Sequence, residues 1–472
     1  MKKHNISPTC TVLEGDVLEC LKAMPDGSVN VCVTSPPYWG LRSYLKSDDP
    51  LKSFEMGSEP TPADYIAAQV AVFRECRRVL HPTGVLAVNI GDTYCSTGGH
   101  TSVGESSQRL GRSNLMAQQE KKGAYGPDFG MSAGEPVGIP DMLKNALRAD
   151  GWRHRDTVIW AKPAPMPSSF CGWRWERCKV KVKDDTRGKE NFRVGAYGDS
   201  PQRDHAPDGS FAKAEYIDCP GCPRCLPHGG YVLRKGQWRT TSSHEYCFMF
   251  VKSDRYFCDA AGVKEPATGT PSNERPFGRA GNADRNDGGR TWGASATRNP
   301  RSVQTWRPEP CKFSHYAAFP SALPRFFIKA ATSPKGCCPT CGIPYSPVVE
   351  KPSLPSVESS DLDRFGTGDA GVHRKVGQAY QDWRDANPDT VAGYLPSCSC
   401  PPLPSVPCRV LDPYAGTATT LQAALELGCE ADGIELNPQY VQYAIERLSA
   451  YLVPKGQAPA VEAAGPLFGE HE

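Results

Sequence analysis

Between residues 10 and 33 the apolar positions change period twice. TCTVLEGD is a short β run ending at Gly15 and Asp16, VLECLKAM has helical spacing, and VNVCVTS is β-branched and continuous. ADYIAAQVAVFRECRRVL then sets Ile66, Val70, Phe73 and Val79 on one helical face, before His81, Pro82, Thr83 and Gly84 stop it. VLAVNIG follows as a strand, PDMLKNALRADG as a helix, and DTVIW and EYCFMFV as strands. Near the C-terminus VPCRVLDPYAG, TATTLQAALELG, ADGIEL and PQYVQYAIERLSAYL repeat strand, helix, strand, helix. This alternation predicts an α/β fold, a parallel sheet covered by helices. The sheet-forming segments come in two pieces, one at each end of the chain.

Long stretches without periodicity separate them. Residues 96–135 are rich in Gly, Ser and Gln, and 261–312 in Gly, Asn and Arg; residues 171–240 carry Cys and Trp, and the tail beyond Pro454 reads as disordered. The 45 Gly and 44 Pro among 472 residues exceed the roughly 12% usual for the two together, which marks many turns and long loops. With 39% hydrophobic residues the chain still has material for a core. A formal charge of +2 gives no global field. It hides local excess: 151–183 holds eight Lys or Arg against Asp156 and Glu176, and 271–312 eight against four acids.

Twenty cysteines change the picture more. MKKHNISPTC has no apolar h-region and no window reaches 18 uncharged apolar residues, so the expected location is the cytoplasm of a bacterial or phage-infected cell. There, clustered cysteines favour metal over disulfide. Cys219, Cys222 and Cys225 offer three zinc ligands within seven residues, with Cys178 preferred over His228 as the fourth. Cys338 and Cys341 form half of a second site that Cys398 and Cys400 complete; Cys337 is the alternative first ligand. With four ligands each, both zinc sites are expected to be structural.

Two turns carry candidate chemistry. Thr34, Ser35, Pro36, Pro37, Tyr38 and Trp39 follow the strand VNVCV, at the carboxyl end where open α/β sheets bind ligands. Two prolines remove two N–H donors and leave carbonyl acceptors. Asp412, Pro413, Tyr414, Ala415, Gly416 and Thr417 close another strand and open a helix, a turn that lets backbone amides approach a ligand. Glu435 ends the next strand, suited to the hydroxyls of a ribose, and without G-x-G-x-x-G an adenosine ligand lacking phosphate fits better than a dinucleotide.

These stretches resemble the amino-group DNA methyltransferases in the permuted order called the β class. TSPPY resembles their catalytic motif, VLDPYAGTATT their S-adenosylmethionine motif and GIELNPQYVQYAIERL the acidic motif after it; HEYCFMFVKSDRYF and HYAAFPSALPRFFIKAATSP resemble segments between. The resemblance implies a Rossmann-like, circularly permuted methyltransferase fold with zinc-binding inserts. It implies transfer of a methyl group from S-adenosylmethionine to the amino nitrogen of a flipped base in double-stranded DNA. Ser35 and the Pro36 carbonyl would hold the amine, with Pro37 in the same loop and Tyr38 stacking on the base. Asp16 would meet the adenine amine, Phe319 and Pro320 the methionine end, Asp412 the amino-acid moiety, and Glu435 the ribose; Thr34, Pro413, Tyr414, Gly416, Thr417 and Asn437 complete the cofactor set. Asn89 and Asp92 would support them from behind. Ala418 stands where the family often has a second glycine and Tyr414 where it has Phe, so weaker cofactor binding is the most that is expected. Ser at the first motif position favours cytosine N4; adenine N6 is the alternative.

The expected organisation is a catalytic half 1–170, a zinc-binding insert 171–240, a catalytic strand 241–260, a basic loop 261–312, catalytic residues 313–336, a zinc-knuckle insert 337–408, a cofactor half 409–453 and a tail 454–472. The insert 171–240 and the basic loop are the expected target-recognition segments. A cognate restriction nuclease is a further expected partner. The rival reading from another class is a zinc-containing nucleic-acid-binding protein with a degenerate methylase fold. Pro310–Cys311 and Pro407–Cys408 are read as structural rather than as carbon-methylating nucleophiles.

Overall fold

The computed structural model describes residues 1–41, 43–45, 48–95, 130–132, 134–165, 172–181, 216–236, 240–266, 297–310, 319–350 and 390–449. The chain forms two compact units: residues 1–163 with 244–472, and residues 164–243.

The larger unit is built on a nine-stranded sheet. Its strands are β1 (Lys2–Ser7), β2 (Cys10–Glu14), β3 (Val29–Thr34), β4 (Leu80–Ile90), β5 (Arg153–Ala161), β6 (His244–Val251), β7 (Val303–Thr305), β8 (Arg409–Asp412) and β9 (Glu430–Glu435), in spatial order β1-β2-β9-β8-β3-β4-β6-β5-β7. The two C-terminal strands thus slot between the first strands of the chain. β2, β9, β8, β3 and β4 run parallel, β6 lies antiparallel between β4 and β5, and β1 is an antiparallel edge. The two pieces of sheet expected from the sequence are therefore one sheet, in permuted order. β1 was not anticipated, because KKHNIS has too few apolar residues to announce a strand. β7 lies inside the expected basic loop; three residues are too short to show a period.

Helices cover both faces. α1 (Val17–Lys22), α2 (Pro62–Val79) and α3 (Ile139–Ala149) pack with Leu13, Cys32, Leu86, Val88, Phe248, Phe250 and Leu411. α4 (Ala322–Ala331), α5 (Thr419–Glu426) and α6 (Pro438–Leu448) pack with the opposite-facing Val31, Val33, Val85, Ala87 and Val410. The continuous apolar run VNVCV is buried on both faces, as strands inside a three-layer sheet are. Of the face read in α2, Ile66, Phe73 and Val79 are buried and Val70 is partly so. Helix α2 stops where expected, but His81 to Gly84 already belong to β4. Among the described residues no helix is long and apolar enough to cross a membrane.

The smaller unit has two short ladders, 174–177 with 231–234 and 179–181 with 216–218. Among its described residues only Cys225 and Val232 are buried, too little core to hold such a unit together. Residues 96–129, most of the expected loop at 96–135, and the tail 454–472 lie outside the described residues.

Asn30 is a buried polar link between distant segments. Its Nδ2 donates to the Gly342 carbonyl (2.8 Å) and its Oδ1 accepts from the Arg409 N–H (2.8 Å). Asn30→Ala strands both backbone groups, and a loss of about 1–3 kcal/mol is expected. Urea unfolding should show a lower midpoint at unchanged slope; an unchanged midpoint would mean the links are replaceable by water.

Candidate active site

Parallel strands deliver their carboxyl ends to one edge of the sheet. Glu14, Thr34, Ile90, Asp412 and Glu435 end the five parallel strands there, and the antiparallel β6 begins at that edge with His244 and Glu245. Adjacent β3 and β8 therefore place the 35–40 loop beside the 413–418 turn. Thr34 Oγ1 donates to Asp412 Oδ1 at 2.6 Å, joining the two. Burial pushes the Asp412 carboxyl up to about 6, opposed by bonds from Thr34, Thr420 and the Tyr414 N–H.

The 413–418 turn is built on two left-handed residues, Gly416 (φ 53°) and Ala418 (φ 64°). Glu435 Oε2 accepts from the Gly416 N–H (2.9 Å) and Oε1 from the Asn437 N–H (2.8 Å). Burial, helped by the Asp412 charge, pushes this carboxyl up to about 7 against those bonds. Asn437 also caps α6, accepting from Gln439 N–H. Pro413 and Thr417 are buried under the turn. The Tyr414 hydroxyl, absent in a phenylalanine, donates to Gln69 Oε1 and lies 3.0 Å from Met56 Sδ. A buried glutamine thus accommodates the departure.

The 35–40 loop is held from several sides. Tyr65 donates to the Pro37 carbonyl (2.9 Å) and buried Trp39 donates to the Glu59 carbonyl (2.9 Å). Gly57 (φ 83°) touches this loop so closely that a Cβ would lie 3.1 Å from the Tyr38 carbonyl. Ser35 and Tyr38 remain half-buried, while Pro36 is buried. Tyr38 donates its hydroxyl to Glu245 Oε2 (2.6 Å), and Asn89 Nδ2 donates to the same oxygen (2.8 Å). Lys162 pairs with the other oxygen of Glu245.

Other expected site residues divide. Asp16 accepts from the Glu19 N–H (3.0 Å) and caps α1 at the end of β2. Asp92 accepts from Gly138 and Ile139 N–H (3.0 Å each), so it anchors the start of α3 and is not behind the loop; Asn89 is. Phe319 packs half-buried against the core and Pro320 opens α4. Glu245 and Lys162 were missed. The one available signal was a carboxylate heading the otherwise apolar strand EYCFMFV.

Both cysteine sets come together. The Sγ atoms of Cys178, Cys219, Cys222 and Cys225 lie within 4.8 Å of one another, as do those of Cys338, Cys341, Cys398 and Cys400. Cys178 sits where the two short ladders of the smaller unit meet, 3.9 Å from Cys222; His228 instead packs on Trp175. Backbone N–H groups of Arg224 and Cys225 hold the Cys222 thiol down to about 6, and those of Cys341 and Thr340 do the same for Cys338. Four soft sulfur donors at this spacing fit a tetrahedral zinc ion. Cys337 is outside the set, facing the Pro407 carbonyl beside buried Cys408. Cys311 lies outside the described residues.

A family model described as DNA methylase matches residues 29–338. The chain belongs to the DNA methylase family. The methylase is 29% identical to type II methyltransferase M.XycI of Xanthomonas campestris pv. cyanopsidis, over 69% of this chain and 73% of that one. It is 28% identical to M.Cfr9I of Citrobacter freundii over 71% and 77%, and 24% identical to M.SmaI of Serratia marcescens over 93% and 91%. Among solved structures, PvuII DNA methyltransferase (cytosine-N4-specific) aligns over 96% of this chain and 89% of that one, with 12% identity and TM-score 0.41. A putative DNA modification methylase of Thermus thermophilus, complexed with S-adenosyl-L-methionine, aligns over 93% of each chain with 16% identity and TM-score 0.38. At such scores neither superposition bears on the site. The methylase uses S-adenosylmethionine and acts on the amino group of a DNA base, cytosine N4 or adenine N6.

Ala418 explains its own departure from glycine. The left-handed backbone costs a non-glycine residue about 1–2 kcal/mol, but Ala418→Gly would lose a buried methyl worth about 0.8 kcal/mol and add about 0.5–1 kcal/mol of unfolded-state entropy. The terms nearly cancel. Ala418→Gly is expected to change unfolding free energy by less than about 1 kcal/mol, and a shift in either direction beyond twice that would contradict the balance.

Proposed function

We propose that the methylase modifies cytosine N4, with Ser35 and the Pro36 carbonyl as the two acceptors for the substrate amino group. The observation that carries this is the neutral Ser35 hydroxyl at the carboxyl end of β3, one residue from the Thr34–Asp412 bond. An exocyclic amine is a poor nucleophile because its lone pair is conjugated with the ring. Two acceptors on its N–H bonds hold the nitrogen near tetrahedral and free that pair, so positioning supplies most of the catalysis. The Pro37 carbonyl is occupied by Tyr65, which leaves the Pro36 carbonyl for this task. The anchored Tyr38 ring offers a fixed plane for a flipped base.

S-adenosylmethionine supplies an electrophilic methyl on a sulfonium. Glu435, a desolvated carboxylate beside the Gly416 turn, fits the ribose hydroxyls. Asp16 is assigned to the adenine amine, Phe319 and Pro320 to the methionine end, Asp412 to the amino-acid moiety, and Thr34, Pro413, Tyr414, Thr417 and Asn437 to shaping the pocket. Target recognition is assigned to 171–240 and 261–312. In the smaller unit, exposed Trp173 and Trp175 and half-exposed Tyr231 stand among Arg174, Arg177, Arg234 and Lys235, a mixture suited to phosphate contact and base stacking. A cognate restriction nuclease is the proposed partner of the modification.

Incubation with labelled S-adenosylmethionine and duplex DNA, followed by nucleoside mass spectrometry, should yield N4-methylcytosine. N6-methyladenine alone would overturn the base assignment. Ser35→Ala should reduce turnover by at least about 100-fold while cofactor binding persists; wild-type turnover would remove Ser35 from its role.

We assign structural zinc to both cysteine sets. Metal analysis of the full chain should find two zinc ions, and chelation should lower the unfolding temperature reversibly. Zinc-free protein from metal-replete expression would refute the assignment.

A further inference from the structure

The turn carrying Cys338 and Cys341 sits on the amino ends of three parallel strands, at the sheet edge opposite the site. Asn30, at the start of β3, donates to the Gly342 carbonyl (2.8 Å) and accepts from the Arg409 N–H that opens β8 (2.8 Å). His81, at the start of β4, meets the Cys341 carbonyl through Nε2 at 2.8 Å. A carbonyl only accepts, so that nitrogen carries the proton; the Thr83 N–H donating to Nδ1 (3.1 Å) requires the same tautomer. The approach is close. A Cβ on Gly342 (φ 75°) would lie 3.3 Å from His81 Cδ2, and one on Gly336 (φ 92°) 2.2 Å from the Val406 carbonyl.

The segment that leads from Cys398 into β8 lies along the same turn. Ser397 donates to the Pro344 carbonyl (3.0 Å), and the Tyr345 hydroxyl to the Leu403 carbonyl (3.1 Å). Cys337 and Val406 exchange both backbone bonds (2.8 and 3.0 Å). Three residues later Arg409 begins β8, which is only four residues long and pairs with β3 at Val410–Val31 and Leu411–Cys32. So short a strand has few ladder bonds of its own, and whatever holds its entry decides how firmly it stays. Its far end is Asp412 and the 413–418 turn. An ion bonded to all four sulfurs would tie Cys398 and Cys400 to the turn of Cys338 and Cys341, and so close this entry.

We propose that the Cys338, Cys341, Cys398 and Cys400 set is a metal clasp on β8. Zinc held there fixes the entry of the strand and thereby the cofactor turn at its other end, so zinc and S-adenosylmethionine raise each other's affinity. The proposal rests on zinc occupying this set and on the 413–418 turn holding the cofactor. The ion takes no part in the chemistry. The other cysteine set is bonded within the smaller unit, Cys178 to Gly230 and Cys219, and is the internal comparison.

The test uses the full chain, zinc and S-adenosylmethionine. In Cys222→Ser, which isolates the clasp ion, chelation should weaken cofactor binding about 10-fold in titration calorimetry, and added zinc should restore it. Reciprocity requires the cofactor to tighten zinc against a competing chelator by the same factor. In Cys400→Ser, which keeps the ion of the smaller unit, zinc affinity should not respond to the cofactor. Asn30→Ala keeps every cysteine and cuts one link, so the coupling should fall to about threefold or less; undiminished coupling overturns the clasp. Equal cofactor affinity with and without zinc also overturns it and leaves a count of two zinc ions standing. Cys222→Ser protein that binds no zinc refutes the site itself, and Glu435→Ala with wild-type cofactor affinity refutes the turn as the cofactor site; the clasp falls with either. If chelation unfolds the chain, zinc-loaded Asn30→Ala decides: cofactor binding at least about threefold weaker supports the clasp, and wild-type affinity overturns it.

Discussion

A buried bond ties the two turns of the site together: Thr34 Oγ1 to Asp412 Oδ1, between residues 378 positions apart. Its partners terminate neighbouring parallel strands, and the residues that follow them are the two turns of the site. A carboxylate out of water is costly unless it is bonded. Asp412 meets that requirement with Thr34, Thr420 and its own turn, yet its carboxyl is still driven up to about 6. The same arrangement that satisfies the acid holds the 35–40 loop against the 413–418 turn. β8 and β9 enter the sheet between β2 and β3, so residues from both ends of the chain meet at one sheet edge.

Much of this was legible along the chain because it is local. The period of VNVCV and of the α2 face, the turn chemistry of SPPY and DPYAG, and the close spacing of the cysteines depend on neighbours in sequence. β1 and β7 were hidden, since KKHNIS is polar and VQT is too short to show a period. So was Glu245, which reaches Tyr38 across 207 positions and acquires meaning only when β6 reverses direction beside β4. Asp92 shows the opposite error. Adjacency to Asn89 suggested a shared task, but strand alternation and the start of α3 take its carboxylate elsewhere.

The departures from the family pattern have different physical standing. Tyr414 adds a hydroxyl and finds Gln69 to accept it. Ala418 keeps the backbone shape glycine would adopt, trading strain for a buried methyl. In both cases the turn survives through compensation nearby. The cysteine sets act at another level. One lies in a unit with almost no core among its described residues; the other is bound to the sheet through His81 on the Cys341 carbonyl and Asn30 on that of Gly342. The first would stiffen a segment whose own described packing is slight.

The central claim is that the two strand-end turns form one methyl-transfer site. A crystal structure of the full chain with S-adenosylhomocysteine tests it most directly. The account predicts ribose hydroxyls on Glu435 and the sulfur facing Ser35 across the 413–418 turn. A ligand bound away from Glu435, or with its sulfur turned from the 35–40 loop, would contradict it.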